Sequence, residues 1–133
     1  MPLRPGLTAT ATFVLAPTDT ARAVGSGSLE VLGTPRLLAW CEAVTCAVLD
    51  PELAPGTTTV GIEVTLRHLA ASPVGAAVVV SAEVVEVAGR RVRLTVEAYD
   101  AAGALLARGE VTRVVVDTAA FMARLGPPRD GQR

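Results

Sequence analysis

A chain of 133 residues, half of them hydrophobic, is long enough to bury a core of its own, and we expect one domain over residues 1–126. A formal net charge of −1, with every basic residue an arginine, offers no surplus of positive charge to hold a nucleic acid. No apolar run reaches the length of a membrane span, and the N-terminus lacks the charged-then-apolar pattern of a signal peptide, so no membrane partner and a cytoplasmic location are expected.

Residues 1–7, MPLRPGL, are punctuated by two prolines and a glycine and lead into residues 8–16, TATATFVLA. The alternation of threonine with small apolar residues predicts a first strand. Residues 16–33 carry Pro17, Thr18, Asp19, Thr20, Gly25, Ser26, Gly27 and Ser28, a composition that favours turns and short helical pieces. This stretch reads as a lid.

Residues 33–50, GTPRLLAWCEAVTCAVLD, read as one buried helix. Thr34 can cap its N-terminus, and Pro35 sits at the first helical position, where a missing N–H and a fixed φ do no harm. Leu37, Trp40, Cys41, Val44 and Val48 follow at spacings of three and four, with Leu38, Thr45 and Leu49 on an adjoining stripe, so the helix needs broad cover. Glu42 lies among these apolar residues, where an ionised carboxylate is costly without a partner. Cys41 and Cys46 are roughly 140° apart around the axis, cannot bridge within the helix, and read as buried thiols.

Asp50-Pro51 and Pro55-Gly56 mark a connector, and from Thr57 the period changes to two. Val60, Ile62, Val64, Leu66 and His68 then share one face of a strand. Three further strands follow as a meander: residues 75–87, residues 91–98 after the Ala88-Gly89 turn, and residues 104–116 after Asp100-Ala101-Ala102-Gly103. Thr118 can cap a short helix over residues 119–125, and residues 127–133 are expected to be a disordered tail. The fold class is therefore α+β, an antiparallel five-stranded sheet wrapped around one long helix.

Thr34 precedes Glu42 by eight residues in a helix whose centre reads AWCEA, and His68 follows Glu42 by twenty-six inside GIEVTLRHLAASPVG. Gly109 and Arg113 form a Gly-x-x-x-Arg in the last strand. On these features the chain resembles the fluoroacetyl-CoA thioesterase-like branch of the hotdog thioesterases, over roughly residues 33–116. The resemblance implies a catalytic trio of Thr34, Glu42 and His68 that hydrolyses an acyl-CoA thioester without cofactor or metal. It also implies substrate contacts at Gly61 and Arg113, and a homodimer or tetramer of dimers that pairs sheets edge to edge with active sites at the subunit boundary. The fluoroacetyl-specific member carries phenylalanines in its lid, whereas residues 17–32 here contain no aromatic residue, so a general thioesterase for small or medium acyl groups is expected.

The residue types agree with this chemistry. His68 continues the 60–66 series, so it faces the helix that carries Glu42. A carboxylate near a histidine can act as general base toward water or as a nucleophile. Thr34 is a hydrogen-bonding partner at the helix start, where free N–H groups also offer donors to a carbonyl oxygen or a phosphate. Eight residues of helix rise roughly 12 Å, so Thr34 and Glu42 of one chain do not touch, and a substrate or a second chain must span them.

Structural readings stand beside each of these: Thr34 as a plain cap, Glu42 in a solvated notch or an ion pair with an arginine, His68 as a core histidine, and Gly61 as a bulge. Arg113 reads equally as a solvated strand residue, a CoA phosphate contact or a counter-ion. The alternative function is a non-catalytic hotdog module that binds acyl-CoA or a related ligand. A hydratase is disfavoured because its Asp-x-x-x-x-His strand signature is absent.

Overall fold

The structure, a computed structural model, describes residues 3–129. Five strands and three helices run in the order β1 (Thr8–Val14), α1 (Ala21–Val24), α2 (Thr34–Leu49), β2 (Thr57–His68), β3 (Ala77–Ala88), β4 (Arg91–Asp100), β5 (Leu105–Asp117) and α3 (Thr118–Ala123). The strands form one antiparallel sheet in the order β1-β3-β4-β5-β2, so β1 and β2 are its edges. This is the expected sheet and helix, in the expected chain order.

The core follows from period. Val92, Leu94, Val96 and Ala98 of β4 are buried on one face, as are Val78, Val80, Ala82 and Val84 of β3. α2 lies across them with Leu37, Trp40, Cys41, Val44, Thr45, Val48 and Leu49 buried. Trp40 stacks on Phe13 of β1, with ring centroids 4.8 Å apart and planes 8° from parallel, so two of the few aromatic side chains fix the helix to the edge strand. Cover is less complete than the sequence suggests: Ala39, Ala43 and Ala47 leave a small-residue stripe of α2 exposed. Cys41 is buried, its thiol pushed up to about 11 by burial and by the neighbouring Glu42 charge, while Cys46 is only half-buried.

Two helix caps differ from expectation. α2 begins at Thr34, its N-cap is Gly33 without a side-chain bond, and the Thr34 hydroxyl is used elsewhere. α3 is capped by Asp117, whose carboxylate accepts the Ala120 N–H at 2.8 Å, so Thr118 is already inside the helix. Of the expected tail, residues 130–133 lie outside the described residues.

The strand face also differs. β2 pairs with β5 through Gly61↔Arg113 and then Glu63↔Thr112, leaving Ile62 as an extra residue in a bulge. Ile62 is 50% exposed instead of lying with Val64, Leu66 and His68. Before the bulge the odd-numbered Thr59 is the buried residue.

The lid is more tightly tied than its composition suggests. It holds a 3₁₀ turn, Pro17–Asp19, and α1, and its ends are joined by a bridge between Thr20 and Leu32, both 2% exposed. The Leu32 N–H donates to the Ser72 carbonyl at 2.9 Å and the Ala21 N–H to the Val31 carbonyl at 2.7 Å, so the second limb of the lid is held on both sides.

β5 crosses β2 closely at Gly109, where an added β-carbon would run into the Thr65 carbonyl and lie 3.0 Å from Leu66 Cα. Backbone cannot give way as a side chain can. Gly109→Ala is therefore expected to lower stability by about 1–3 kcal/mol, the usual cost of overpacking. Urea unfolding measures this, and a variant within about 0.5 kcal/mol of wild type, the range of ordinary surface substitutions, contradicts it.

Candidate active site

Two groups of polar side chains flank α2. At its N-terminal end Thr34 Oγ1 lies 2.7 Å from His68 Nδ1. Strand β2 carries His68 to this point at its last residue, and the other ring nitrogen, Nε2, is buried with no protein partner among the described residues. Burial pulls the His68 imidazole below its usual 6.5, opposed by the neighbouring Ala70 backbone. The ring is thus held neutral, with one nitrogen engaged and one uncommitted.

The second group surrounds Glu42, two helical turns on. Arg113 Nη1 donates to Glu42 Oε2 at 3.2 Å, while Arg113 Nε donates to the Thr59 hydroxyl at 2.8 Å and Nη2 to the Thr59 carbonyl at 3.2 Å. The guanidinium is only 7% exposed, so all three nitrogens are committed to the protein. Of the roles weighed for Arg113, counter-ion to Glu42 is the one these bonds describe. Gly61 completes the group: a β-carbon there would lie 2.5 Å from Glu42 Oε2 and 3.2 Å from Arg113 Nη1. Glycine is what lets the carboxylate reach the strand.

Thr34 and His68 are therefore brought together, as are Glu42, Gly61 and Arg113. No hydrogen bond or ion pair joins the two groups among the described residues, so the direct meeting of Glu42 with His68 inferred from strand phase does not occur within one chain. Sequence reasoning missed Thr59. The signal for it was present, since Gly61 and His68 are an odd number of residues apart and can share a face only if a bulge shifts the phase between them.

Beside His68 is a depression of about 190 Å³ lined by Val31, Leu32, Leu69, Ala70 and Ala71, an apolar wall with no aromatic side chain. A larger hollow of about 510 Å³ lies among Thr65, Arg67, Glu97, Arg108 and Glu110 and holds none of these groups. It is a solvated, charge-balanced surface, and the smaller one adjoins His68.

His68 is the only histidine in the chain, so its imidazole gives one signal in NMR. In Glu42→Gln, which removes the one carboxylate under discussion, that signal is expected to titrate below 6.5 because burial disfavours the charged ring. The unfolded chain then takes up the proton more readily. The stability contributed by this group is present above pH 6.5 and lost as pH falls through the lower folded midpoint. A midpoint at or above 6.5 in that variant contradicts the burial argument.

Residues 15–119 match the family described as fluoroacetyl-CoA-specific thioesterase. The fluoroacetyl-CoA thioesterase of Streptantibioticus cattleyicolor is 31% identical over 96 residues, which cover 72% of this chain and 68% of that protein. A point variant of a fluoroacetyl-CoA-specific thioesterase, solved in complex with fluoroacetate and CoA, superposes with a TM-score of 0.83 at 30% identity, over 90% of this chain and 99% of the other. A thioesterase superfamily member from Thermus thermophilus superposes with a TM-score of 0.87 at 30% identity, over 93% and 91% of the two chains. A five-stranded antiparallel sheet around one long helix, matched over nearly its whole length by hotdog thioesterases, places the chain in the fluoroacetyl-CoA-specific thioesterase family of hotdog-fold thioester hydrolases.

Proposed function

We propose that this protein hydrolyses small or medium acyl-CoA thioesters to the free acid and CoA, at sites shared between two copies of the chain. The observation that carries the reading is the 2.7 Å contact of Thr34 Oγ1 with His68 Nδ1, which leaves Nε2 of a neutral imidazole uncommitted beside an apolar depression. With the Nδ1–H donating to Thr34, the Nε2 lone pair serves as base toward water. Glu42 is the second member of the pair, attacking the thioester carbon or taking the proton of the attacking water. The first turn of α2 offers backbone N–H groups to the developing oxyanion, and Gly61 brings backbone close to the substrate.

Edge-to-edge pairing supports the shared site. β2 is an edge strand of twelve residues with an unpaired side, Gly61 before its midpoint and His68 its last residue, so a two-fold axis near Val64 and Thr65 sets one copy's Gly61 opposite the other's His68. A second copy pairing antiparallel across that axis exchanges these positions, so Glu42 of the second copy approaches His68 of the first. The pairing covers the exposed edge, with Ile62 and the alanine stripe of α2 next to it. Two such dimers can associate further into a tetramer. A cytoplasmic setting, in which CoA thioesters are met, belongs to the same reading.

Glu42→Gln and His68→Ala are each expected to lower turnover of acyl-CoA by about a hundredfold or more, since each removes proton-transfer capacity. Mixing the two inactive variants under conditions that exchange subunits is expected to restore about a quarter of wild-type activity. Half of the resulting dimers are hybrids, and one of the two sites in each hybrid is intact. Turnover that survives in both variants removes Glu42 and His68 from the chemistry, a wild-type protein that binds acyl-CoA without turnover favours a binding module, and failure of exchanged hybrids to recover places each site within one chain.

Selectivity rests on the lid and the apolar wall. Fluoroacetyl and acetyl groups differ by one fluorine, and a difference of methylene size in an apolar pocket is worth only about 1–3 kcal/mol. Val31, Leu32, Leu69, Ala70 and Ala71 give that wall no feature that senses fluorine. The expected outcome is comparable kcat/KM for fluoroacetyl-CoA and acetyl-CoA, alongside turnover of longer acyl-CoAs measured under one condition. A preference for fluoroacetyl-CoA above about a thousandfold exceeds the range expected of such a wall and overturns this assignment.

A further inference from the structure

Thr34 is the first residue of α2, one place past the N-cap, with its hydroxyl at the helix end whose N–H groups have no partner within the helix. Here it is turned to His68 instead. The helix start is otherwise poorly served from its own sequence: Gly33 has no side chain to cap with, and the first turn holds no acidic residue. Asp19, from the 3₁₀ turn of the lid, fills both needs. Its backbone carbonyl accepts the Gly33 N–H at 3.0 Å, and its carboxylate Oδ1 lies 3.0 Å from Nε of Arg36 in the first turn of α2, an ion pair held by charge in which the Nε–H makes no hydrogen bond among the described residues. Its other carboxylate oxygen accepts the Ala16 N–H at 2.8 Å, which fixes the turn on which Asp19 is carried.

The Asp19 side chain is largely covered, with 15% of its surface exposed against 38% for Arg36, so the pair is shielded from solvent on the Asp19 side only. The packing around it is close as well. A β-carbon on Gly33 would lie 2.8 Å from Val24 Cγ2 and 3.1 Å from Ala21 backbone atoms, so α1 sits directly on the residue that precedes Thr34. Thr34 is therefore bracketed by two residues, Gly33 and Arg36, that Asp19 holds at once.

We infer that Asp19 is a positioning residue for the Thr34–His68 pair: it supplies the acceptor and the negative charge at the start of α2, clamps Gly33 and Arg36 around Thr34, and so leaves the Thr34 hydroxyl free to hold His68 Nδ1. Without the carboxylate the Arg36 half of the clamp is lost and only the backbone bond to Gly33 remains. The Thr34 hydroxyl then turns back to the helix N–H groups, and the imidazole loses the contact that sets its orientation.

This role rests on the thioesterase reading for its kinetic arm alone. The single imidazole signal of His68 reports its contact with Thr34 directly, whether or not the protein turns over any substrate. At one fixed pH, Asp19→Ala and Arg36→Ala are expected to move that signal toward its position in Thr34→Val. In the kinetic arm, kcat for an acyl-CoA is expected to fall by about tenfold or more with little change in KM, as for displacement of a reacting group by a fraction of an ångström. Asp19→Asn, which keeps a neutral acceptor for the Ala16 N–H, is expected to fall between wild type and Asp19→Ala in both readouts. Should Asp19→Ala fail to fold, Arg36→Ala cuts the same clamp from the helix side and carries the test. Folded variants that melt at a lower temperature but keep the wild-type His68 signal and wild-type kcat overturn the assignment and reduce Asp19 to a stabilising contact. A wild-type protein that hydrolyses no acyl-CoA defeats the thioesterase reading, and the signal shifts still decide the role of Asp19.

Discussion

One extra residue in an edge strand decides where the two polar groups beside α2 sit. Gly61 and His68 are seven positions apart, so an unbroken strand points them to opposite faces of the sheet. The bulge at Ile62 restores the phase, turning Gly61 toward Glu42 and His68 toward Thr34. Gly61, before the midpoint of β2, and His68, at its end, thereby face the same helix, and Ile62 is pushed outward. Removing that single residue would restore a regular ladder and send one of the two groups to solvent.

Around this constraint the helix divides its labour. An N-terminal threonine has one hydroxyl, and here it serves His68 instead of the helix start. The missing cap is made good by a neighbouring element, through the Asp19 carbonyl on Gly33 and the Asp19 carboxylate beside Arg36. A comparable division holds at Glu42. The carboxylate has its charge balanced by Arg113, whose guanidinium is anchored by Thr59, so a charge in an apolar helix becomes tolerable without being neutralised. Such arrangements cost stability locally and persist because tertiary packing supports them.

Much of this was legible in the sequence. The period of 3.6 over residues 33–50 and the period of two in β4 each lead to one structure, and the elements fall in the order that the turns announce. The spacing of Thr34, Glu42 and His68 marks the polar residues that need explaining. What was not legible depends on phase and on distant partners. Alternation alone counts Ile62 inward, because apolar residues at 60, 62, 64 and 66 look like one face, and only pairing with β5 reveals the slip. Arg113 likewise reads equally well as a solvated residue until its 71-residue reach back to Glu42 is known. The caps fail for a related reason: Thr34 and Thr118 are chemically suitable, and which of two adjacent residues takes the role is decided by what else competes for its side chain.

The separation of the two polar groups has an electrostatic logic. A carboxylate beside an imidazole favours the charged ring, whereas burial favours the neutral one. In a single chain, His68 experiences burial without Glu42, and its imidazole is pulled toward the neutral form that a base requires. Glu42 meanwhile stands against Arg113, which holds its charge in place and directs one oxygen. In the proposed shared site, a second copy's Glu42 would add a stabilising partner for an imidazolium formed at His68, with its own counter-ion and orientation already set by Arg113, Thr59 and Gly61. Within one chain each group thus has surroundings of its own: burial and the Thr34 hydroxyl for His68, and Arg113, Thr59 and the gap at Gly61 for Glu42.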